Sequence, residues 1–351
     1  MIKDAIATVI SGTSLSMEQA AQTMEEVMNG TATPAQIAAF VTALKMKGET
    51  ADEIIGLAQT MRANAIHVEI DEPVVDTCGT GGDGSGTFNI STAATFVAAA
   101  TGLKVAKHGN RAASSQCGSA DVLEALGVRI DLNAEQVAKC LQEVGIGFMF
   151  AQAFHPALKY AAPTRREIGI RTVFNILGPL TNPAGAKAQV MGVPDGNMLE
   201  KLALVLQHLG CKHALIVHGE DGLDEITITG KTFVCELKDA QINDYIIKPE
   251  DLGLNRASLK NIQGGDAQEN ARILRSVLSG DSGPQQDIVL MNSAAILMAA
   301  DRIKTLRQGI TLAIEAIESG RAIGKLEQLI EFSRSLGGNN DCRRDTVTQK
   351  T

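Results

Sequence analysis

Five of the eight residues 79–86 are glycine, and they follow the apolar pair Val74 and Val75. A run so poor in side chains costs too much backbone entropy to sit inside a helix or strand, so it reads as a loop between two elements. The surrounding chain alternates strand-like and helix-like segments from about Glu69 onward. After the strand at 74–75 come a helix over 91–101 closed by Gly102, a strand over 103–106 and a helix over 119–126 closed by Gly127. A strand over 128–130, a helix over 134–144 with Val137, Cys140, Leu141 and Val144 on one face, and a strand over 146–151 follow. Further on, 197–209 reads as a helix and 214–218 as a buried strand. This order predicts an α/β fold with a mainly parallel central sheet, helices on both faces, and a ligand site at the carboxyl ends of the strands. The alternations ITIT and TFVC within 225–237 predict an antiparallel pair, and the C-terminal third reads as helices.

The first 65 residues carry a different pattern. Ser16 with Gln19, Thr33 with Gln36 and Thr50 with Glu53 are capping boxes, and Pro34 stands where its missing N–H costs nothing. Gly30 and Gly48 mark helix ends. With Ile2, Ile6, Val9 and Ile10 at helical spacing, the segment predicts about four short helices and no strand. We therefore expect a small helical domain over 1–68, a large α/β domain over 69–338, and a disordered tail over 339–351.

Composition narrows the function classes. Net charge is −8, which disfavours a nucleic-acid binder, and aromatics at 3% disfavour a base-stacking platform. Apolar runs such as 93–100 fall short of the ~20 residues of a membrane span. Met1-Ile2-Lys3-Asp4 does not open a secretory signal. Six scattered cysteines without CxxC spacing fit reduced thiols, so a cytoplasmic protein is expected.

Gly79, Gly81 and Gly84 satisfy GxGxxG, but no helix opens at the third glycine, and Lys107 stands after the next strand where a ribose-binding acid would be expected. A flexible turn and an anion cradle remain. In the cradle, bare backbone offers N–H donors to a phosphate, with Asn89, Ser91 and Thr92 at the mouth of the next helix. A second loop repeats the arrangement with Lys107, His108, Gly109, Asn110, Arg111, Ala112, Ala113, Ser114 and Ser115, and reaches Ser119 at the following helix start. Two such loops suggest a ligand with phosphates at both ends. The acids of 218–225 read either as a solvated turn or, through Asp224 and Glu225, as holders of Mg²⁺ together with substrate phosphates. His208, Cys211, His213 and His218 lack the spacing of zinc ligands. Arg165 and Arg166 either pair with Glu167 or grip a substrate carboxylate.

Taken together, GTGGD at 79–83, NIST at 89–92, KHGNR at 107–111, GSADVLEALGV at 118–128, the block 154–184 and DGLDEIT at 221–227 make the chain resemble the anthranilate phosphoribosyltransferase family. The resemblance covers about residues 1–335. It implies a helical domain completed by part of 160–185, a nucleoside phosphorylase-type α/β domain, and a homodimer formed through the helical domains. The implied substrates are anthranilate and 5-phosphoribosyl 1-diphosphate, with two Mg²⁺ per monomer. By position, Gly79, Gly82, Asp83, Thr87, Asn89, Ile90, Ser91, Thr92, the nine residues Lys107 to Ser115 and Ser119 would line the phosphoribosyl donor. Gly79, Asn110 and Arg165 would meet anthranilate, and Ser91, Asp224 and Glu225 would ligate magnesium. Ala112, Ala113 and Gln116-Cys117 depart from the family's commonest loop. An aromatic amine ortho to a carboxylate is a weak nucleophile, so departure of diphosphate should lead, and His108 is the nearest candidate to take the amine proton. Two relatives of the same fold compete: a pyrimidine nucleoside phosphorylase, which needs no metal, and a nucleic-acid-binding protein, which needs a basic groove.

Overall fold

In the computed structural model, residues 1–112 and 116–336 are described. Ala113, Ser114, Ser115 and the expected disordered tail lie outside them. Four helices open the chain: α1 (Ile2–Ile10), α2 (Met17–Met28), α3 (Pro34–Lys47) and α4 (Ala51–Ala63). All three expected capping boxes close in both directions. The box at Thr50 also has a tertiary role. Its Glu53 is fully buried, accepts from the backbone N–H of Leu15 at 2.9 Å and pairs with Lys47 at 2.9 Å, tying the start of α4 to the entry of α2 and the end of α3.

The rest of the chain runs β1 (Val75–Gly79), α5 (Ile90–Ala100), β2 (Val105–Gly109), α6 (Ser119–Leu126), α7 (Ala134–Glu143), β3 (Ile146–Phe150) and α8 (Ala151–Phe154). It continues through α9 (Ala162–Ile168), α10 (Val173–Leu177), β4 (Ala188–Gly192), α11 (Leu199–His208), β5 (His213–Gly219), β6 (Thr232–Lys238) and β7 (Gln241–Ile247). Four helices close it: α12 (Ala267–Leu278), α13 (Pro284–Ala299), α14 (Leu306–Glu318) and α15 (Arg321–Ser335). The sheet order is β3-β2-β1-β4-β5-β6-β7. Pairing is parallel from β3 to β5 and antiparallel from β5 to β7.

Three expectations about strands need correction. Residues 128–130 are not a strand: the N–H of Arg129 is taken by Ser333 of α15 at 3.1 Å instead of a neighbouring strand. Residues 226–229 are not one either, because Asn292 of α13 accepts from the N–H of Ile226 at 3.0 Å and donates to its carbonyl at 2.9 Å. The antiparallel hairpin is instead β6 with β7. The sequence reading also lacked β4, which sits between β1 and β5.

Two apolar cores hold the molecule. One surrounds α5, whose Ala93, Ala94, Ala98 and Ala99 are buried and small enough for α13 to pack closely. The other runs from the buried faces of α1–α4 through Phe174, Leu177 and Leu180 to Leu202, Leu206 and Ile216 under the sheet. The segment 161–180 thus buries its apolar residues with the N-terminal helices. No helix of the described residues is long and apolar enough to cross a membrane. From β1 the chain moves outward to β2 and β3, then returns to the other side as β4. The carboxyl edge at such a reversal is where open α/β sheets bind ligands.

Candidate active site at the carboxyl edge of the sheet

All expected site residues within the described part line one cavity of about 340 Å³ at this edge. A larger open groove of about 1130 Å³ lies beside His218, Phe233 and Asp244, but neither Lys nor Arg lines it, so it offers a phosphate no cation.

The cavity floor is built by close approaches that only glycine permits. Gly79 ends β1 and pairs in register with Gly192 of β4. A Cβ on Gly79 would lie 2.2 Å from Oδ2 of Asp224, and one on Gly192 would lie 1.6 Å from the Asp224 carbonyl oxygen. Asp224 therefore reaches in over two bare strand ends, and its Oδ2 accepts from the N–H of Gly81 at 2.6 Å. Beyond it Asp83 holds the hydroxyl of Ser85 at 2.6 Å, which in turn contacts the hydroxyl of Thr87 at 3.3 Å. Asn89 precedes α5 without capping it. The N–H groups of Ile90 and Ser91 are taken by the carbonyl of Phe88 at 2.8 Å and by Glu225, so what the helix mouth offers an anion is its dipole. The buried hydroxyl of Thr92 has no partner among the described residues. Ile90 contributes backbone only, since its side chain is buried in the core.

Asn89 lines the cavity and also braces it. Its amide donates to the carbonyl of Cys117 at 3.1 Å and accepts from Nδ2 of Asn270 at 2.9 Å, so it fastens the glycine loop to the second loop and to α12. Asn270, which sequence reasoning missed, is itself fixed by the N–H of Gly265 at 2.8 Å.

β2 extends further than expected and carries Lys107, His108 and Gly109 inside the strand. Buried Lys107 donates to the carbonyl of Thr77 at 2.6 Å and reaches the Ser91 hydroxyl at 3.3 Å. Nδ1 of His108 lies 3.1 Å from the carbonyl of Gly178, which can only accept, so Nδ1 carries the proton, and Nε2 is buried without a partner among the described residues. Burial above all, then His155 and Lys107, pushes the His108 pKa down to about 3. The ring therefore does not hold a proton near neutral pH. Gly109 makes room for Ser119 at the head of α6: a Cβ there would lie 2.2 Å from its hydroxyl oxygen. Arg111 lines the rim, yet its guanidinium is occupied by Asp121 at 2.9 Å and Glu124 at 2.8 Å. Asp121 also accepts from the N–H groups of Ala112 and Gly118, both at 2.9 Å, and so shapes the second loop.

Asp224 and Glu225 follow β5. Burial first, then Glu225 and Asp83, raises the Asp224 pKa well above the carboxylate range. Burial raises that of Glu225 to about 7 against the pull of Lys107. Glu225 accepts from the N–H of Ser91 at 3.1 Å, which puts the helix mouth and the acidic pair side by side. Carboxylates forced together out of water in this way suit a divalent cation. Among the described residues no three His, Cys, Asp or Glu side chains converge to hold an ion alone. The donor set therefore fits Mg²⁺, which takes one or two carboxylates and completes its shell with phosphate oxygens and water.

Two arginines face the acids from the helical side. Arg165 of α9 lies with its guanidinium 5.0 Å over the ring of Phe174, and no carboxylate among the described residues pairs with it, Glu167 included. Burial lowers its pKa. Arg171, in the turn before α10, lies inside the block 154–184 but was not singled out by sequence reasoning. Its Nη2 donates to the carbonyl of Thr80 at 3.3 Å.

Residues 3–65 match the helical bundle domain of the glycosyl transferase family, and residues 71–323 match that family's a/b domain. The anthranilate phosphoribosyltransferase of Dehalococcoides mccartyi is 57% identical over 96% of this chain and 99% of its own length. That of Chloroflexus aggregans is 57% identical over 95% and 98%. Among solved structures, anthranilate phosphoribosyltransferase from Thermus thermophilus superposes with a TM-score of 0.89 at 44% identity, covering 94% of this chain and 99% of that one. The Saccharomyces cerevisiae enzyme, in complex with PRPP and Mg, gives 0.87 at 29% identity, over 95% and 98%. With its two domain matches and relatives of this identity along nearly the whole length, the chain belongs to the anthranilate phosphoribosyltransferase family of glycosyl transferases.

Proposed function

We infer that this chain is a pentosyltransferase that moves the phosphoribosyl group of 5-phosphoribosyl 1-diphosphate to the amine of anthranilate, releasing diphosphate, in tryptophan biosynthesis. The observation that carries this reading is the union in one cavity of a glycine-built anion cradle facing Asp224 and Glu225 with an unpaired guanidinium, Arg165, lying on an aromatic ring. Yeast relatives have been solved with PRPP and Mg and with 4-fluoroanthranilate, which matches the two halves of the cavity.

The dipole at the mouth of α5, with the glycine loop, the second loop and Lys107, holds the phosphoryl groups. Asp224 and Glu225, with Ser91 beside them, would hold two Mg²⁺ per chain, which when bound neutralise the charge gathering on the leaving diphosphate. Arg165 grips the anthranilate carboxylate and, with Asn110 and Gly79, turns the amine toward the anomeric carbon. The C–O bond to diphosphate breaks as the C–N bond forms, and the amine then loses a proton. Buried, neutral His108 does not keep that proton, which passes to water; a strong base is not required, because the amine becomes acidic only as it bonds to carbon. Positioning and charge stabilisation supply the rate. The helical domain 1–68, completed by part of 160–185, forms the homodimer contact. Its exposed Ile10 and Met46 support that placement. Cys78, Cys140, Cys211 and Cys235, which form no disulfide among the described residues, support a cytoplasmic setting.

The test offers the purified protein two reactions in parallel, anthranilate with the phosphoribosyl donor and Mg²⁺, and thymidine with inorganic phosphate. Consumption of anthranilate alone is expected. Phosphorolysis of thymidine without metal would replace this reading with a nucleoside phosphorylase.

A further inference from the structure

The helical side of the cavity presents two guanidiniums, and only Arg165 has been given a ligand. Arg171 belongs to the turn between α9 and α10, elements that pack on α3 and α4, yet its side chain crosses the cavity to lie on the glycine loop. There Nη1 occupies the space that a side chain at residue 82 would fill: a Cβ on Gly82 would be 1.7 Å from it. Gly82 is thus demanded twice, by its φ of +74° and by the guanidinium above it.

The position is electrostatically odd. A guanidinium has five N–H donors, and the one hydrogen bond described for Arg171 goes to the carbonyl of Thr80 at 3.3 Å. No carboxylate among the described residues lies within ion-pair distance of it. It rests instead on a loop whose backbone N–H groups are themselves electropositive, and the carboxylates at that loop are engaged elsewhere, Asp83 by the N–H and hydroxyl of Ser85 and Oδ2 of Asp224 by the N–H of Gly81. Like-signed groups converging on one half-buried point are stable together when an anion sits between them.

We propose that Arg171 is a second anion-gripping residue of this site, dedicated to the diphosphate of the phosphoribosyl donor as Arg165 is to the carboxylate of the acceptor. The name of the ligand rests on the function proposed above; the anion site itself rests on the geometry. The planar fork of a guanidinium matches two phosphoryl oxygens at once. Because Arg171 is rooted in the helical side and its target in the sheet side, the bound diphosphate ties the two walls of the cavity together.

The test compares wild type with Arg171→Gln and Arg171→Lys in two measurements. Calorimetric titration with inorganic diphosphate and MgCl₂ should show binding weakened about tenfold or more in Arg171→Gln, and less in Arg171→Lys, which keeps the charge but loses the fork. Steady-state kinetics should show the Michaelis constant of the phosphoribosyl donor rising in parallel while that of anthranilate stays within about twofold. Diphosphate affinity equal to wild type in both folded variants would overturn the proposal. So would equal rises in both Michaelis constants with unchanged diphosphate affinity, the behaviour of a loop strut. If Arg171→Gln does not fold, the calorimetry of Arg171→Lys decides alone. If the wild type consumes no anthranilate, the proposed function fails, whereas the diphosphate titration still decides the role of Arg171.

Discussion

Asp224 is the residue on which the site turns. Two strands end in glycine to admit it, its carboxylate is buried beside Glu225, and its pKa is raised by burial first and by that neighbour second. Replacing Asp224 by Asn together with Glu225 by Gln is expected to lower turnover at least ~10²-fold, the scale of losing a charge-stabilising group at a reacting centre. Rates near wild type at limiting Mg²⁺ would show that these acids do not hold the ion. Gly192→Ala should be equally telling, because the added carbon would meet the backbone of Asp224, which cannot swing aside as a side chain end could. A loss of about 1–3 kcal/mol in urea unfolding, with reduced activity, is expected; unchanged stability would mean that the 224–225 turn moves freely. Arg165→Ala should raise the anthranilate Michaelis constant far more than that of the phosphoribosyl donor, the mirror image of Arg171→Gln. Asp224, Glu225 and Arg165 were legible in the sequence because they lie in compact charged motifs. Asn270 and Arg171 were not: Asn270 meets Asn89 across 181 residues of chain, and no local pattern encodes that meeting.

Elements were legible in proportion to how local their causes are. A capping box is settled by four consecutive residues, and all three expected in the first 65 residues form. Thr50→Ala should cost ~1 kcal/mol in urea unfolding, the usual worth of such a cap. An unchanged midpoint would mean that the contacts of Glu53 with Leu15 and Lys47 hold the helix start without the hydroxyl. Strands depend on partners elsewhere. Residues 226–229 alternate as a strand should, yet Asn292 satisfies the backbone of Ile226, so the alternation buries Ile226 and Ile228 in an irregular turn. Likewise Ser333 claims Arg129 from the far end of the chain. β4 escaped notice although turn signals stand on both sides, Asn182-Pro183 before it and Pro194-Asp195-Gly196 after it, because Ala188–Gly192 holds only two large apolar residues, too few to set a strand pattern.

At the scale of the whole molecule, the helical and sheet sides are joined by the segment 178–181, whose four successive carbonyls each accept from a different element. His108 of β2 bonds Gly178, Gln189 of β4 bonds Pro179, Arg62 of α4 bonds Leu180, and His155 after α8 bonds Thr181. This crossing could not be read from the sequence, since its donors come from four distant places. It has a consequence for pH. Burial lowers the His155 pKa from 6.5 to about 4, so between those values the unfolded chain binds a proton that the folded chain refuses. The stability that neutral His155 supports is complete above pH 6.5 and is lost as pH falls toward 4. The melting temperature of wild type should therefore drop more steeply over that range than that of His155→Gln. Buried Asp76, whose pKa is raised, acts with the opposite sign in both proteins and cancels from the comparison. Parallel curves would show that burial does not hold His155 neutral.

The central claim is that the cavity binds two anionic substrates and joins them with loss of diphosphate. The direct measurement follows anthranilate fluorescence and diphosphate release together in purified protein as Mg²⁺ is titrated. One diphosphate released for each anthranilate consumed, both dependent on Mg²⁺ and both abolished without the phosphoribosyl donor, is the predicted result. Anthranilate left unconsumed at saturating donor and metal would contradict it.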